Sequence, residues 1–325
     1  TFEKISVFSD LNSLTDISMD WRYNTICGIT ENEMTAYFTE SIRELAISNH
    51  LSFEATCERL RKRYDGYHFL EEGDALYNPY SLLSTFSKMR FGSYWFETGT
   101  PSFLVELLKR DDFYLPDLTG QEVSADFLNS IDSLSLSPVP IIYQSGYLTI
   151  KGYDKDFGLY ILGYPNEEVK EGWANYLLPY YVHVEDGCGP MFIGRFVREL
   201  RQGHPDAFMH RMETLFRGVS YETVGDAEKY FQNAFYLITL LLGYYVEVEH
   251  TIADGRIDMI AKTNDYIYIF EFKYDKSAEE ALRQIDEKDY AKPFASDPRK
   301  LIKIGVNFSK EKRCIDGWKI AGEKV

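Results

Sequence analysis

Three runs rich in β-branched and aromatic residues follow one another near the end of the chain: GYYVEVEHTI (243–252), RIDMIAKT (256–263) and YIYIFEFK (266–273). Only ADG and ND separate them, and connections this short join antiparallel neighbours. A long apolar helical stretch (226–242) comes before them. SAEEALRQIDEKDYAKPF (277–294) reads as a helix after them, with Ser277 as N-cap and acids in its first turn. KLIKIGVNFS (300–309) is a buried-strand pattern, and 312–325 carries a further strand pattern. The order is αβββαβ, an α+β domain built on one sheet.

The ND turn also sets a register. With Asn264-Asp265 as the two turn residues, Thr263 faces Tyr266 and Asp258 faces Glu271 directly. Directly opposed side chains share a sheet face, and Lys273, two residues beyond Glu271, shares it too. Two facing carboxylates repel unless a cation compensates them, and a divalent ion does this more completely than one lysine. Ile267 and Ile269 lie on the same face, so the predicted setting is partly apolar, where unpaired charge is costly. The plain alternative is an exposed hairpin with Asp258 and Glu271 paired to Lys273. Glu228 opens the stripe Glu228, Phe231, Gln232, Phe235, Ile238 and Leu242 of the preceding helix, and is expected to point over the sheet. Its plain alternative is an acid favoured by the helix dipole. Gln284 and Tyr290, on the helix after Lys273, are expected either to brace this cluster or to serve packing.

The remainder is organised differently. Residues 1–110 read as mostly helical, with ENEMTAYFTESIRELAIS (31–48) as a single helix, SFEATCERLRKRY (52–64) capped by Ser52, and YNPYSLLSTFSKM (77–89) started by Pro79. Residues 111–190 place a helix before two strand runs, Tyr147–Tyr153 and Gly158–Tyr164, a winged-helix-like pattern. Residues 191–325 then hold a helix interrupted near Gly203 and Pro205, followed by the αβββαβ unit. The expected fold class is α+β and multidomain: a helical region (1–110), a winged-helix-like module (111–190) and the C-terminal domain (191–325).

Composition sets limits. With 45% hydrophobic residues the 325-residue chain is not disordered, and its formal charge of -16 opposes non-specific binding to a polyanion. That acidity is local, because residues 273–325 carry 13 Lys+Arg against 10 Asp+Glu. The four cysteines form no metal-binding spacing or disulfide framework, which fits reduced thiols in the cytoplasm. The longest apolar run, 235–246, is shorter than the roughly 20 residues of a membrane span, so no membrane partner is expected. His204 and His210 are six apart, not the i, i+4 of a helical metal pair. The chain opens on Thr1 in a sequence that reads as mid-domain, as a piece of a larger protein would.

Asp258, then Glu271-Phe272-Lys273, following a helix with Glu228, resembles the PD-(D/E)XK nuclease superfamily, whose restriction-endonuclease-like core has this same order of elements. GRID resembles its first acidic motif, with Gly255-Arg256 in place of the leading Pro. Gln284 and Tyr290 are similar to the Gln…Tyr pair of RecB-like members, at longer spacing. The resemblance implies Mg²⁺- or Mn²⁺-dependent phosphodiester hydrolysis on DNA or RNA. In it Asp258 and Glu271 would be metal ligands, the Phe272 carbonyl a backbone ligand, Glu228 an accessory acid and Lys273 the catalytic lysine. SVFSDLNSLTDISMD, KRYDGYHF, YNPYSLL, YWFETGTPSFLVELLK, QSGYLTI and PNEEV resemble AAA-ATPase-like proteins that end in such a domain. That implies a lid-like role for 1–110 and a P-loop NTPase core ahead of this chain. No G-x-x-x-x-G-K-[ST] is present, so no ATP hydrolysis is expected from it. The competing expectation is a non-catalytic nucleic-acid- or protein-binding regulatory module on the same scaffold, and an oligomer is compatible with either.

Overall fold

A computed structural model of the chain describes residues 17, 19–96, 102–110, 113–128, 137–182, 189–217, 227–253, 256–312 and 314–322. For residues 110, 189, 190, 217, 227, 228, 250–253 and 256–258 it describes the backbone alone. The chain divides into two compact units, Thr1–Trp173 and Ala174–Val325.

The first unit opens with β1 (Ile29–Thr30), α1 (Glu31–Tyr37), α2 (Thr39–Ser48), α3 (Phe53–Tyr64), β2 (Leu76–Tyr77) and α4 (Pro79–Lys88). Side chains start these helices as expected. Ser52 Oγ accepts from the Ala55 N–H, and Asn78 Oδ1 from the Ser81 N–H ahead of Pro79. Residues 31–48 form two helices, not one. Thr30 and Glu33 close a reciprocal capping box on α1, and Phe38 then leaves helical geometry and stacks on Phe86 at 5.4 Å. Burial of that ring competes with continuing the helix. Met34, Ile42, Leu45, Leu60, Tyr64, Tyr77, Leu82 and Phe86 make the local core.

α5 (Ser102–Arg110), β3 (Glu122–Val123), α6 (Ala125–Leu128), α7 (Val139–Gln144), β4 (Thr149–Asp154), β5 (Leu159–Gly163) and α8 (Glu167–Tyr181) follow. The helix-then-hairpin pattern is present as α7, β4 and β5, with β3 on the far edge of β5. Asp154 makes the turn, its Oδ1 accepting from the Asp156 and Phe157 N–H groups, and Gly158 takes a φ of 68° that few other residues tolerate.

Glu168 of α8 is wholly buried and accepts the Trp95 N–H at 3.1 Å. Desolvation raises its pKa above the ordinary value, against the lowering effect of the Ser81 hydroxyl and Trp95 amide. A raised folded pKa gives stability that is complete below the unfolded value and declines as pH rises through the folded one. Glu168→Gln keeps an acceptor for Trp95 and removes the titration. Its melting temperature relative to wild type is therefore expected to be more favourable at pH 8 than at pH 5. An equal difference at the two pH values would show that Glu168 carries no burial penalty.

The second unit contains α9 (Gly189–Arg201), α10 (Pro205–Arg217), α11 (Ala227–Leu242), β6 (Glu247–Ala253), β7 (Arg256–Lys262), β8 (Tyr266–Tyr274), α12 (Ala278–Glu287), β9 (Lys300–Ser309) and β10 (Cys314–Gly322). The expected break at Gly203 and Pro205 separates α9 from α10, with Gly203 at a φ of 72°. The sheet order is β10-β9-β8-β7-β6. β6, β7 and β8 form the antiparallel meander, and the crossover through α12 makes β9 parallel to β8. β10 then pairs antiparallel on the outer edge.

The two sheet faces are covered differently. Phe270 meets Phe208 of α10, and Phe272 meets Phe231 and Phe235 of α11. Phe231 also packs on Phe308 at 4.2 Å. Each such ring contributes roughly 1.5–3 kcal/mol on burial, so this aromatic layer is a main source of stability for the sheet. The expected one-sided stripe of α11 needs correcting, because residues 231–242 are buried on every side. α12 packs against β8 and β9 on the other face.

Candidate active site

The site begins with the hairpin. Thr263 donates its N–H to the Tyr266 carbonyl at 2.9 Å, and its Oγ1 accepts the Tyr266 N–H at 3.0 Å. This closes the turn at Asn264-Asp265 and leaves Asp258 opposite Glu271 in the ladder. The side chains of Asp258 and Glu228 lie outside the described residues, so their placement is a matter of backbone position.

Hydrogen-bonded and non-hydrogen-bonded pairs alternate along an antiparallel ladder. Since 263/266 is a bonded pair, Tyr268, Phe270 and Phe272 turn their backbone groups towards β7. Among the described residues the β7–β8 ladder ends at Asp258–Glu271, while β8 runs on beside β9 to the pair Tyr274–Phe308. The Phe272 carbonyl therefore points to the β7 side just past the last ladder pair.

Glu271 is 0% exposed and Lys273 is 7% exposed. Lys273 Nζ donates to Glu271 Oε1 at 2.6 Å and also to Gln284 Oε1 of α12. The lysine is thus held by a carboxylate on its own strand and an amide on the helix above. Ser277 starts that helix, its Oγ accepting from the Glu280 N–H at 3.1 Å. With Oε1 turned to the ammonium, Gln284 Nε2 is buried without a hydrogen-bond partner among the described residues. A donor left in that position suits an anionic oxygen or a water.

Two residues read only as part of a buried strand prove to shape this cluster. Gly305 pairs with Glu271 and Asn307 with Lys273. A Cβ on Gly305 would lie 2.2 Å from the Ala278 carbonyl oxygen, so its absence lets α12 come down on the sheet. Asn307 is 7% exposed and its Oδ1 accepts the Lys276 N–H at 2.9 Å, fixing the turn that follows Lys273. A glycine and an asparagine inside an apolar run were the available signals.

The other expected residues are placed as follows. Tyr290 is half-buried in the turn after α12, its N–H on the Ile285 carbonyl at 3.1 Å. The first turns of α11 lie at the Tyr274 end of β8, on the face of Phe272 and not that of Glu271 and Lys273. His210 pairs with Asp206 at 3.3 Å and meets the Trp318 ring edge-on, a packing role. No group of three His, Cys, Asp or Glu that could hold a metal occurs among the described residues, whose side chains exclude Asp258 and Glu228.

Hard dications take carboxylate and carbonyl oxygens. The Glu271 carboxylate, the Phe272 carbonyl and the facing position of Asp258 form that kind of donor set, with no sulfur or imidazole among them. The residues present fit such an ion.

Residues 226–318 match the family model described as the PD-(D/E)XK nuclease superfamily, and the chain carries a domain of that superfamily there. Over 98% of its length it is 33% identical to an Azotobacter chroococcum mcd 1 protein described as "Uncharacterized protein in vnfD 5'region". The chain spans 61% of that relative. No solved structure matches the chain. No helix among the described residues is long and apolar enough to cross a membrane.

Proposed function

We propose that the C-terminal domain hydrolyses phosphodiester bonds of DNA or RNA with a divalent cation, Mg²⁺ or Mn²⁺. The carrying observation is the buried Glu271–Lys273–Gln284 cluster on the strand whose register partner is Asp258. Asp258, Glu271 and the Phe272 carbonyl would hold the ion. When bound, the ion supplies Lewis-acid polarisation of a phosphoryl oxygen and a more acidic water.

The chain's own residues do the rest. Lys273, held beside Glu271, offers its ammonium to the attacking water and to charge developing on the phosphate. Gln284 orients that ammonium and presents an Nε2 N–H to a phosphate oxygen. α12 covers the face and excludes bulk water, which strengthens each of these interactions. Tyr290 would brace the helix end. Residues 1–110 would act as a lid-like region and 111–190 as a winged-helix-like module, in a longer protein whose NTPase core supplies further grip on nucleic acid.

The test is cleavage of supercoiled plasmid, single-stranded DNA and RNA by the purified chain with Mg²⁺ or Mn²⁺. Cleavage of at least one substrate that EDTA stops is expected. If none is cut with either ion, the hydrolytic reading fails.

A further inference from the structure

The first unit contains two adjoining cavities of about 350 and 210 Å³. Cys27, Tyr67, Phe69, Gln144 and Gly146 line both, so the two share a wall. Tyr23 and Tyr143 add aromatic surface to the larger lobe and Trp95 to the smaller. Among the described residues no Lys, Arg, Asp or Glu lines either lobe, and the polar points are uncharged hydroxyls such as those of Ser145 and Thr149, the amides of Asn78 and Gln144, and His68. Volumes of a few hundred Å³, aromatic walls and a few polar groups are what small-molecule sites have.

The walls are built, not collapsed. The Thr149 hydroxyl receives the His68 N–H at 2.8 Å and donates to the His68 carbonyl at 2.9 Å. Tyr67 is tied to Leu76 through its backbone and donates its hydroxyl to the Gly146 carbonyl at 3.3 Å. Gln144 is anchored by its Nε2 on the Leu128 carbonyl at 2.7 Å. The rim, by contrast, leaves apolar side chains in water: Ile26 is 66% exposed, and Ile17 and Tyr23 are each 40% exposed. Hydrogen-bonded walls beneath an exposed apolar rim suit an apolar ligand.

We infer that this double cavity binds a small, neutral, planar aromatic molecule. Flat rings stack on Tyr and Trp faces, and the lack of charged lining disfavours a phosphorylated or carboxylated ligand. The inference concerns the first unit and stands apart from the nuclease reading.

The probe is N-phenyl-1-naphthylamine, a neutral two-ring fluorophore, titrated into the full chain beside its anionic counterpart 8-anilinonaphthalene-1-sulfonate. One saturable site for the neutral dye is expected, at least tenfold tighter than for the anionic one. Cys27→Trp, at an exposed position common to both lobes, is expected to weaken it at least tenfold, and Phe157→Ser, at an exposed apolar position elsewhere, to leave it unchanged. A second measurement needs no variant: saturating dye should slow alkylation of Cys27 by N-ethylmaleimide, read by mass spectrometry, and leave Cys57 unaffected. Non-saturable binding, equal affinity for the two dyes, or an unchanged Cys27 labelling rate overturns the inference.

Discussion

Lys273→Met is expected to lower metal-dependent cleavage by about 10²–10³-fold, the usual cost of removing one donor aimed at developing charge. The same change should destabilise the second unit by about 3–5 kcal/mol, because it leaves the Glu271 carboxylate buried with its cation gone. Methionine has nearly the length of lysine, so packing is kept and electrostatics is what changes. The loss of activity alone would not separate chemistry from misfolding. The double variant Glu271→Gln/Lys273→Met does, since replacing both members of a buried pair by neutral groups of similar shape is close to neutral. It is expected to recover most of the lost stability in urea unfolding and none of the cleavage. If the single variant unfolds like wild type, the pair is not buried as described. If the double variant cuts nucleic acid, Glu271 and Lys273 are not the catalytic groups.

What could be read from the sequence here follows from how local each contact is. Asp258 opposite Glu271 depends on one two-residue turn, and that turn is written in adjacent residues. The covered setting of Glu271 was legible from Ile267 and Ile269, which share its face by parity alone. The break between α9 and α10 was legible from Gly203 and Pro205. The contacts that hold Lys273 were harder to read. Gln284 reaches it only because the crossover brings β9 parallel to β8 and lays α12 on the Glu271 face. The residue that permits this, Gly305, is 32 positions beyond Lys273, and no local pattern pairs the two. Glu228 shows the same limit. Helical spacing placed it on a stripe with Phe231 and Phe235, but which sheet face that stripe meets is decided by tertiary packing, and it meets the face of Phe272.

Gly305 is accordingly a position where a small change should have a large structural effect. In Gly305→Ala the new methyl group would sit 2.2 Å from the Ala278 carbonyl oxygen and 2.7 Å from the Leu282 nitrogen. Both are backbone atoms of α12, so no side-chain rotation relieves the overlap, and the helix must lift from β9. Overpacking of this kind costs about 1–3 kcal/mol and more where backbone has to move. The lift acts on chemistry because α12 carries Gln284. A displacement of about 1 Å at a positioning group can cost about 10²-fold in rate, so cleavage should fall by that order at temperatures where the variant is still folded. Gly317→Ala is the matched control, also in the sheet but with nothing within 4 Å of the added Cβ, and it should change neither quantity. Adding Gln284→Ala to Gly305→Ala separates the two consequences. If the glycine acts through the amide, the double variant cleaves no more slowly than Gln284→Ala alone, whereas an additive loss would mean that α12 positions something besides Gln284.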